Sequence, residues 1–167
     1  MIQTALITGA SKRIGKALSE HLAALGWNII IHFNRSKEQA KNLSVALKTK
    51  YPGQEFPVIK ADLLNTEDVE KLIPLALKLV NPIDLLVNNA SVFEKGFITE
   101  TTPDFFDWQM QVNLKAPFIL IQSFGKHCKV GNVINFVDTR ITNNKSDYAA
   151  YSLSKKRVVG THKNGSS

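Results

Sequence analysis

The sequence predicts an α/β fold, a doubly wound parallel sheet with helices on both faces, on three observations. Short apolar runs rich in β-branched residues alternate with segments whose apolar residues recur at helical spacing. The first run stops at a glycine turn, Thr8-Gly9-Ala10-Ser11-Lys12-Arg13-Ile14-Gly15, and a helical pattern follows at once. The same rhythm then repeats along the chain, as right-handed crossovers between parallel strands require.

In order, residues 2–7 read as the first strand and residues 16–26 as its helix, closing on Gly26. Residues 27–33 form a second buried strand, and Asn34-Arg35-Ser36 a turn with Ser36 at the N-cap position. An amphipathic helix over 37–50 turns Ala40, Leu43, Ala46 and Leu47 inward and ends at Tyr51-Pro52-Gly53. Residues 55–61 give a third strand, closed by Asp62-Leu63. Thr66 caps a helix to about Val80, which Pro74 is expected to kink or break. A fourth strand over 83–87 runs directly into Asn88-Asn89-Ala90-Ser91. From Pro103 to His127 the pattern is helical, with Phe105, Phe106, Trp108 and Met110 as a heavy apolar group. Asn113 stands in that apolar stretch and needs a hydrogen-bonding partner if buried. Residues 131–137 form the fifth strand, Asp138-Thr139-Arg140 its carboxyl end, and Ser146 to Lys155 open a last helix.

At 167 residues the chain suits one domain, over residues 1–160, with 161–167 a polar tail. Its 44% hydrophobic and 21% charged content is ordinary for a globular protein. The single Cys128 excludes an internal disulfide framework and suits a reducing compartment. No signal-peptide order and no membrane-spanning apolar run is present, so a cytoplasmic protein without a membrane partner is expected. The net charge of +7 is scattered, with no basic run interleaved with aromatics. That favours a solvated basic surface over nucleic-acid binding. No metal site is expected.

The glycine turn brings backbone N–H groups and the positive end of a helix together where a pyrophosphate can approach closely, so a dinucleotide is the expected guest; the alternative is a plain strand-to-helix turn. At the end of the second strand an acid would bind the 2′-hydroxyl of NAD. Arg35 and Ser36, with Arg13, offer donors suited to a 2′-phosphate, which points to NADPH unless they are simply a polar loop. Tyr151 and Lys155 are four residues apart and share a helix face. An ammonium at ~4 Å supplies on the order of 4 kcal/mol toward ionising a phenol whose ordinary pKa is about 10.

Taken together, the glycine turn, Asn-Asn-Ala after the fourth strand, a polar residue ending the fifth and Tyr-x-x-x-Lys on the next helix resemble the short-chain dehydrogenase/reductase family, from Ile2 to about Lys155. The resemblance implies a Rossmann-like fold with Gly9, Arg13, Ile14 and Gly15 at the cofactor turn. His32, Asn34, Arg35 and Ser36 follow on the cofactor side, Asp62 and Leu63 border the adenine, and Asn89, Ala90 and Ser91 border the ribose and nicotinamide. Tyr151 becomes the proton donor, Lys155 also holds ribose hydroxyls, and Asn113 stands in a proton relay toward Lys155.

Two departures from the common pattern, Arg13 in place of the middle glycine of the turn and Asp138 in place of the catalytic serine, look like the pteridine reductase branch. So do His32-Phe33-Asn34-Arg35-Ser36 and Asn88-Asn89-Ala90-Ser91-Val92-Phe93. That branch implies that Phe93 stacks on a flat pterin, that Ser91 borders it, and that Asp138 and Tyr151 deliver protons. From the residues alone, the alternatives are a helix-cap or turn carboxylate for Asp138 and a loop aromatic packed on the core for Phe93.

Family members continue past the Tyr-Lys helix with further strands and a substrate-covering region. The chain therefore reads as cut short, with C-terminal strands missing, an open fifth strand, weakened stability and reduced turnover. The family's homo-oligomer is put in question by the same shortening. The expected activity is NADPH-dependent reduction of a small dihydropterin- or dihydrofolate-like ring. The alternatives are a short-chain carbonyl reductase and a non-catalytic nucleotide-binding remnant.

Overall fold

The computed structural model describes residues 2–128, 130–138 and 147–158; Thr139, Arg140, Ser146 and the expected polar tail lie outside them. Five strands, β1 (Thr4–Ile7), β2 (Asn28–Phe33), β3 (Val58–Lys60), β4 (Leu85–Asn88) and β5 (Asn132–Asn135), form one parallel sheet in the order β3-β2-β1-β4-β5. The sheet grows outward from β1 in both directions. The crossovers therefore reverse between β1 and β4 and open a crevice at the carboxyl ends of these two strands.

β1 is buried along its whole length, and its side chains serve both faces in turn. Ala5 and Ile7, with Ile29 and Ile31 of β2, pack under α1 (Arg13–Ala24) and α2 (Lys37–Lys50). Leu6, Ile30 and Leu86 pack on the other side against α3 (Thr66–Leu79) and α5 (Ala116–His127). Burial of each large aliphatic side chain contributes about 1.5–3 kcal/mol, and a parallel sheet needs both faces covered to gather enough of it. α4 (Pro103–Met110) runs through a five-residue π turn, Gln111–Lys115, into α5, and α6 (Ala149–Val158) follows β5. Among the described residues, no helix is long and apolar enough to cross a membrane.

Several expectations yield to local chemistry. Asn65, not Thr66, caps α3, its Oδ1 accepting from the N–H groups of Glu67 and Asp68 at 2.9 and 3.3 Å. α3 continues unbroken through Pro74, where Leu72, Ile73 and Ala76 are held in the core. The bond that proline cannot donate is missed by the carbonyl of Glu70, an exposed residue that water can serve. Ser36 is the N-cap residue of α2 without capping it by side chain; its Oγ lies 2.6 Å from Ser11 Oγ. Ala46 is exposed, about 100° round the helix from buried Leu47. β3 is regular only over Val58–Lys60, because Pro57 has no N–H, although the carbonyls of Glu55 and Pro57 still accept from Ile29 and Ile31. The aromatic group of α4 is half-buried, and the buried residue of that helix is Gln109. β5 ends the strand order among the described residues, with Ile134 and Val137 exposed.

Gly15 packs directly under the β1 turn. A Cβ there would collide with the carbonyl oxygen of Gly9 and stand 2.7 Å from Asn89 Nδ2. Gly15→Ala is expected to destabilise the chain by about 1–3 kcal/mol, read as a lower chemical-denaturation midpoint. An unchanged midpoint would show that the turn can yield.

Candidate active site

The β1 turn is tied to the end of β4 by crossed hydrogen bonds. Thr8 Oγ1 donates to the Val87 carbonyl (3.2 Å) and accepts from the N–H groups of Asn89 and Ala90 (both 3.0 Å). Asn89 Nδ2 returns donors to the carbonyls of Thr8 (2.9 Å) and Gly9 (3.3 Å). Gly9 has φ +63°, a region that glycine enters without strain. Arg13, the first residue of α1, has φ +49° and bears the steric cost of a β-carbon in that region.

His32 braces this turn from β2. Its Nδ1 accepts from Gly9 N–H at 3.0 Å, so the proton sits on Nε2, 3.1 Å from the Ala61 carbonyl. Burial pushes its pKa down to about 4, against smaller opposing contributions from the Ala61 carbonyl and Asp62. With both ring nitrogens engaged by backbone, His32 supports the groove.

Two adjoining clefts of about 370 and 390 Å³ open along these strand ends and share Gly9, Lys12, Asn34, Ser36, Ala90 and Ser91. One extends past Arg35 to Asp62, Leu63 and Trp108; the other extends past Arg13, Ile14 and Gly15 to Asn89, Phe93 and Tyr151. Asp62 is oriented by donors from Asn34 Nδ2 (2.9 Å) and Leu64 N–H (3.0 Å) on its Oδ1. The mouth of α1 has an unusual charge. Its first turn has no acid and its N-cap, Lys12, makes no capping bond, whereas α2 and α3 open with Glu38 and with Glu67 and Asp68. Cations at the positive end of a helix are unfavourable unless an anion joins them.

At the far end, Tyr151 Oη donates to Asp138 Oδ2 at 3.0 Å, joining α6 to the chain beyond β5. Phe93 is 45% exposed, stacked on Tyr148 (centroids 4.5 Å, planes 3° apart) and edge-on to Tyr151 (4.7 Å, 73°). It is a surface aromatic of the cleft. Lys155 is buried behind it, its Nζ 5.9 Å from the Tyr151 ring centroid and donating to the Phe136 carbonyl at 3.1 Å. Burial lowers the Lys155 pKa to about 8, against an opposing pull from Asp138.

The structure thus gathers the glycine-turn, second-strand and fourth-strand residues with Phe93 and Tyr151 along one groove, and sets Asp138 on the Tyr151 hydroxyl. Asn113 and Lys155 it keeps behind the groove wall without a direct bond between them. Asn113, fully buried in the π turn, is satisfied four times: Oδ1 accepts from Ser91 Oγ and Val92 N–H (both 3.0 Å), and Nδ2 donates to the Val92 carbonyl (2.9 Å) and Gln109 Oε1 (3.0 Å). Sequence reasoning missed Thr8, Gln109 and Tyr148. The helical spacings from Gln109 to Asn113 and from Tyr148 to Tyr151 were the available signals.

Comparison with known proteins places this geometry. The profile of the short chain dehydrogenase family matches residues 3–166. The crystal structure of FolM alternative dihydrofolate reductase 1 from Brucella suis in complex with NADP superposes with a TM-score of 0.88 at 33% identity, covering 95% of this chain and 66% of that one. A 3-oxoacyl-[acyl-carrier-protein] reductase of Synechocystis sp. is 31% identical over 163 residues, 95% of this chain and 64% of the relative. Tetrahydroxynaphthalene reductase of Pyricularia oryzae is 26% identical over 158 residues, 93% and 55% respectively. The chain thus spans between about half and two thirds of the length of these proteins.

His32 makes stability depend on pH with a definite sign. The unfolded chain takes up a proton below the ordinary pKa of 6.5, whereas the folded chain refuses it until about 4. The contribution is therefore fully present above 6.5 and falls by roughly 3 kcal/mol as pH drops to about 4. Denaturation midpoints of the parent and of His32→Gln measured across that window should converge toward the acid end; parallel curves would contradict the assignment.

Proposed function

Because the chain belongs to the short-chain dehydrogenase family, we propose that it serves NADPH-dependent reduction of a pteridine-type ring, with Tyr151 and Asp138 as the proton-handling pair. The observation that carries this reading is the 3.0 Å hydrogen bond between the two, at the end of the groove beside exposed Phe93.

The groove fits the cofactor by the chemistry of its donors. At the end of β2, Arg35 and Ser36 with Arg13 across the turn supply a fork and a hydroxyl for a 2′-phosphate. The first amides of α1 and the uncompensated positive charge there receive the pyrophosphate. Asp62 and Leu63 would border the adenine, and Asn89, Ala90 and Ser91 would line the way to the nicotinamide, whose ribose would meet Tyr151. When bound, NADPH supplies the hydride.

The side chains supply the rest. Reduction of a ring C=N bond adds hydride to carbon and a proton to nitrogen, and Tyr151 gives that proton. In the free chain its proton is directed to the Asp138 carboxylate, and the hydroxyl must turn from Asp138 to the ring nitrogen to transfer it. Lys155, with its pKa near 8, is largely cationic at neutral pH and stabilises the phenolate left behind. Asp138 accepts from the amino and ring N–H groups that a pterin carries and a simple ketone lacks. Phe93 offers a face to a planar ring, and the likeness to an alternative dihydrofolate reductase supports the same substrate class.

A second reading, carbonyl reduction, is favoured by the likeness to 3-oxoacyl-[acyl-carrier-protein] and tetrahydroxynaphthalene reductases, since Tyr151 and Lys155 suit a ketone equally.

Asp138→Ser separates them. Dihydropterin-dependent NADPH oxidation should fall by about 10²-fold or more while NADPH quenching of tryptophan fluorescence persists. Ketone reduction that is kept or improved in this variant, with no dihydropterin reduction by the parent, would establish the second reading. Arg13→Gly should release the strain of φ +49°, raise stability by about 1 kcal/mol and weaken NADPH about tenfold relative to NADH. Unchanged discrimination between the two nucleotides would remove Arg13 from the phosphate site.

A further inference from the structure

Gln109 is fully buried on a helix whose aromatic neighbours are only half-buried, and both ends of its amide are spent on groups near the groove. Its Nε2 donates to the Glu94 carbonyl at 3.3 Å, and its Oε1 accepts from Asn113 Nδ2 at 3.0 Å. Asn113, one turn later, pairs with both the N–H and the carbonyl of Val92. Two amides on one helix therefore grip the backbone on either side of Phe93. The orientation is unambiguous, because the Val92 N–H makes Asn113 Oδ1 an acceptor and the Glu94 carbonyl makes Gln109 Nε2 a donor.

Beyond Glu94 the segment is pinned to the start of α6. Gly96 N–H donates to the Asp147 carbonyl (2.9 Å), and the Gly96 carbonyl accepts from Ala149 (3.3 Å). A Cβ at Gly96 would stand 2.8 Å from the Phe105 ring, so any larger residue requires that ring to shift. Phe93, held between these anchors, meets Tyr148 flat and Tyr151 edge-on. A fully buried amide is costly to keep unless its bonds are made, and every bond of this one is directed to the Phe93 segment or to Asn113.

We propose that Gln109 is a positioning residue for substrate selection: by holding the Glu94 carbonyl and orienting Asn113 it sets the tilt of the Phe93 ring against Tyr151, and so the preference for a flat heteroaromatic substrate. The proposal rests on the pteridine reading for its substrate and on the hydrogen bonds alone for its mechanism, and the two are tested separately.

Gln109→Met keeps the length and removes both bonds; Gln109→Glu retains the acceptor for Asn113 and loses the donor to Glu94, which provides a milder variant should the first fold poorly. Without any ligand, hydrogen exchange at the Val92 and Gly96 amides should quicken about tenfold in Gln109→Met and less in Gln109→Glu. With substrate, KM for dihydropterin should rise about tenfold, the scale of a lost neutral hydrogen bond, while NADPH affinity and kcat stay within about twofold. In a Phe93→Leu background the KM effect of Gln109→Met should vanish, because the first change has removed the ring through which the second acts. Unchanged exchange at Val92 and Gly96 would overturn the clamp whatever the chain reduces. Additive KM effects, or a matching loss of NADPH affinity, would overturn its role in selection. Absence of dihydropterin reduction by the parent, with exchange altered as expected, would fault the substrate reading and leave the clamp standing.

Discussion

The hydroxyl of Thr8 is the pivot of the molecule. It receives the N–H groups of Asn89 and Ala90 and gives its proton to Val87, while the Asn89 amide reaches back to the carbonyls of Thr8 and Gly9. Parallel neighbours in a sheet are joined laterally by their ladder alone, and the ladder stops where the strands end. These side-chain bonds extend the junction of β1 and β4 past the sheet, at the point where the winding reverses and a crevice must open. Gly15 then settles where a side chain would strike the turn, His32 braces Gly9 from the other flank, and the start of α1 is aimed along the groove.

The far end of the groove is built on the opposite side of that junction from pieces with no local relation to one another. Asp138 follows β5, Tyr151 rises from α6, Phe93 leaves β4, and the amides that hold the Phe93 segment come from α4 and the π turn. A π turn adds a residue to the helical register, and functional side chains gather at such sites. Here it accompanies a fully satisfied asparagine one turn after the equally buried Gln109. Lys155 is buried behind the phenol with its charge on the Phe136 carbonyl, so desolvation rather than contact with a carboxylate dominates its acidity.

Much of this was legible from residues because it depends on period and punctuation. The alternation of β-branched runs with helical patterns sufficed for the five strands, and Gly9 and Gly15 marked the turn. Tyr151 and Lys155 drew their weight from their place after the glycine turn, the Asn-Asn-Ala segment and the fifth strand, since their spacing alone is common. What escaped depended on competition between neighbours. Asn65 takes the cap of α3 from Thr66 because its side-chain oxygen reaches two amides at once. Pro74 is carried because the core grips the helix on both sides of it. The left-handed backbone of Arg13 is invisible to composition, and Gln109 reads as one more polar helical residue until the carbonyl of Glu94 is seen above it.

The most direct test of the central claim is a crystal structure of this chain with NADP⁺ and a dihydropterin. The expected result has the 2′-phosphate between Arg13 and Ser36, the nicotinamide at the Asn89–Ser91 segment, and the pterin ring against Phe93 with a ring nitrogen within hydrogen-bond reach of Tyr151. A dinucleotide bound elsewhere, or a pterin whose reducible bond lies away from Tyr151 and Asp138, would contradict it.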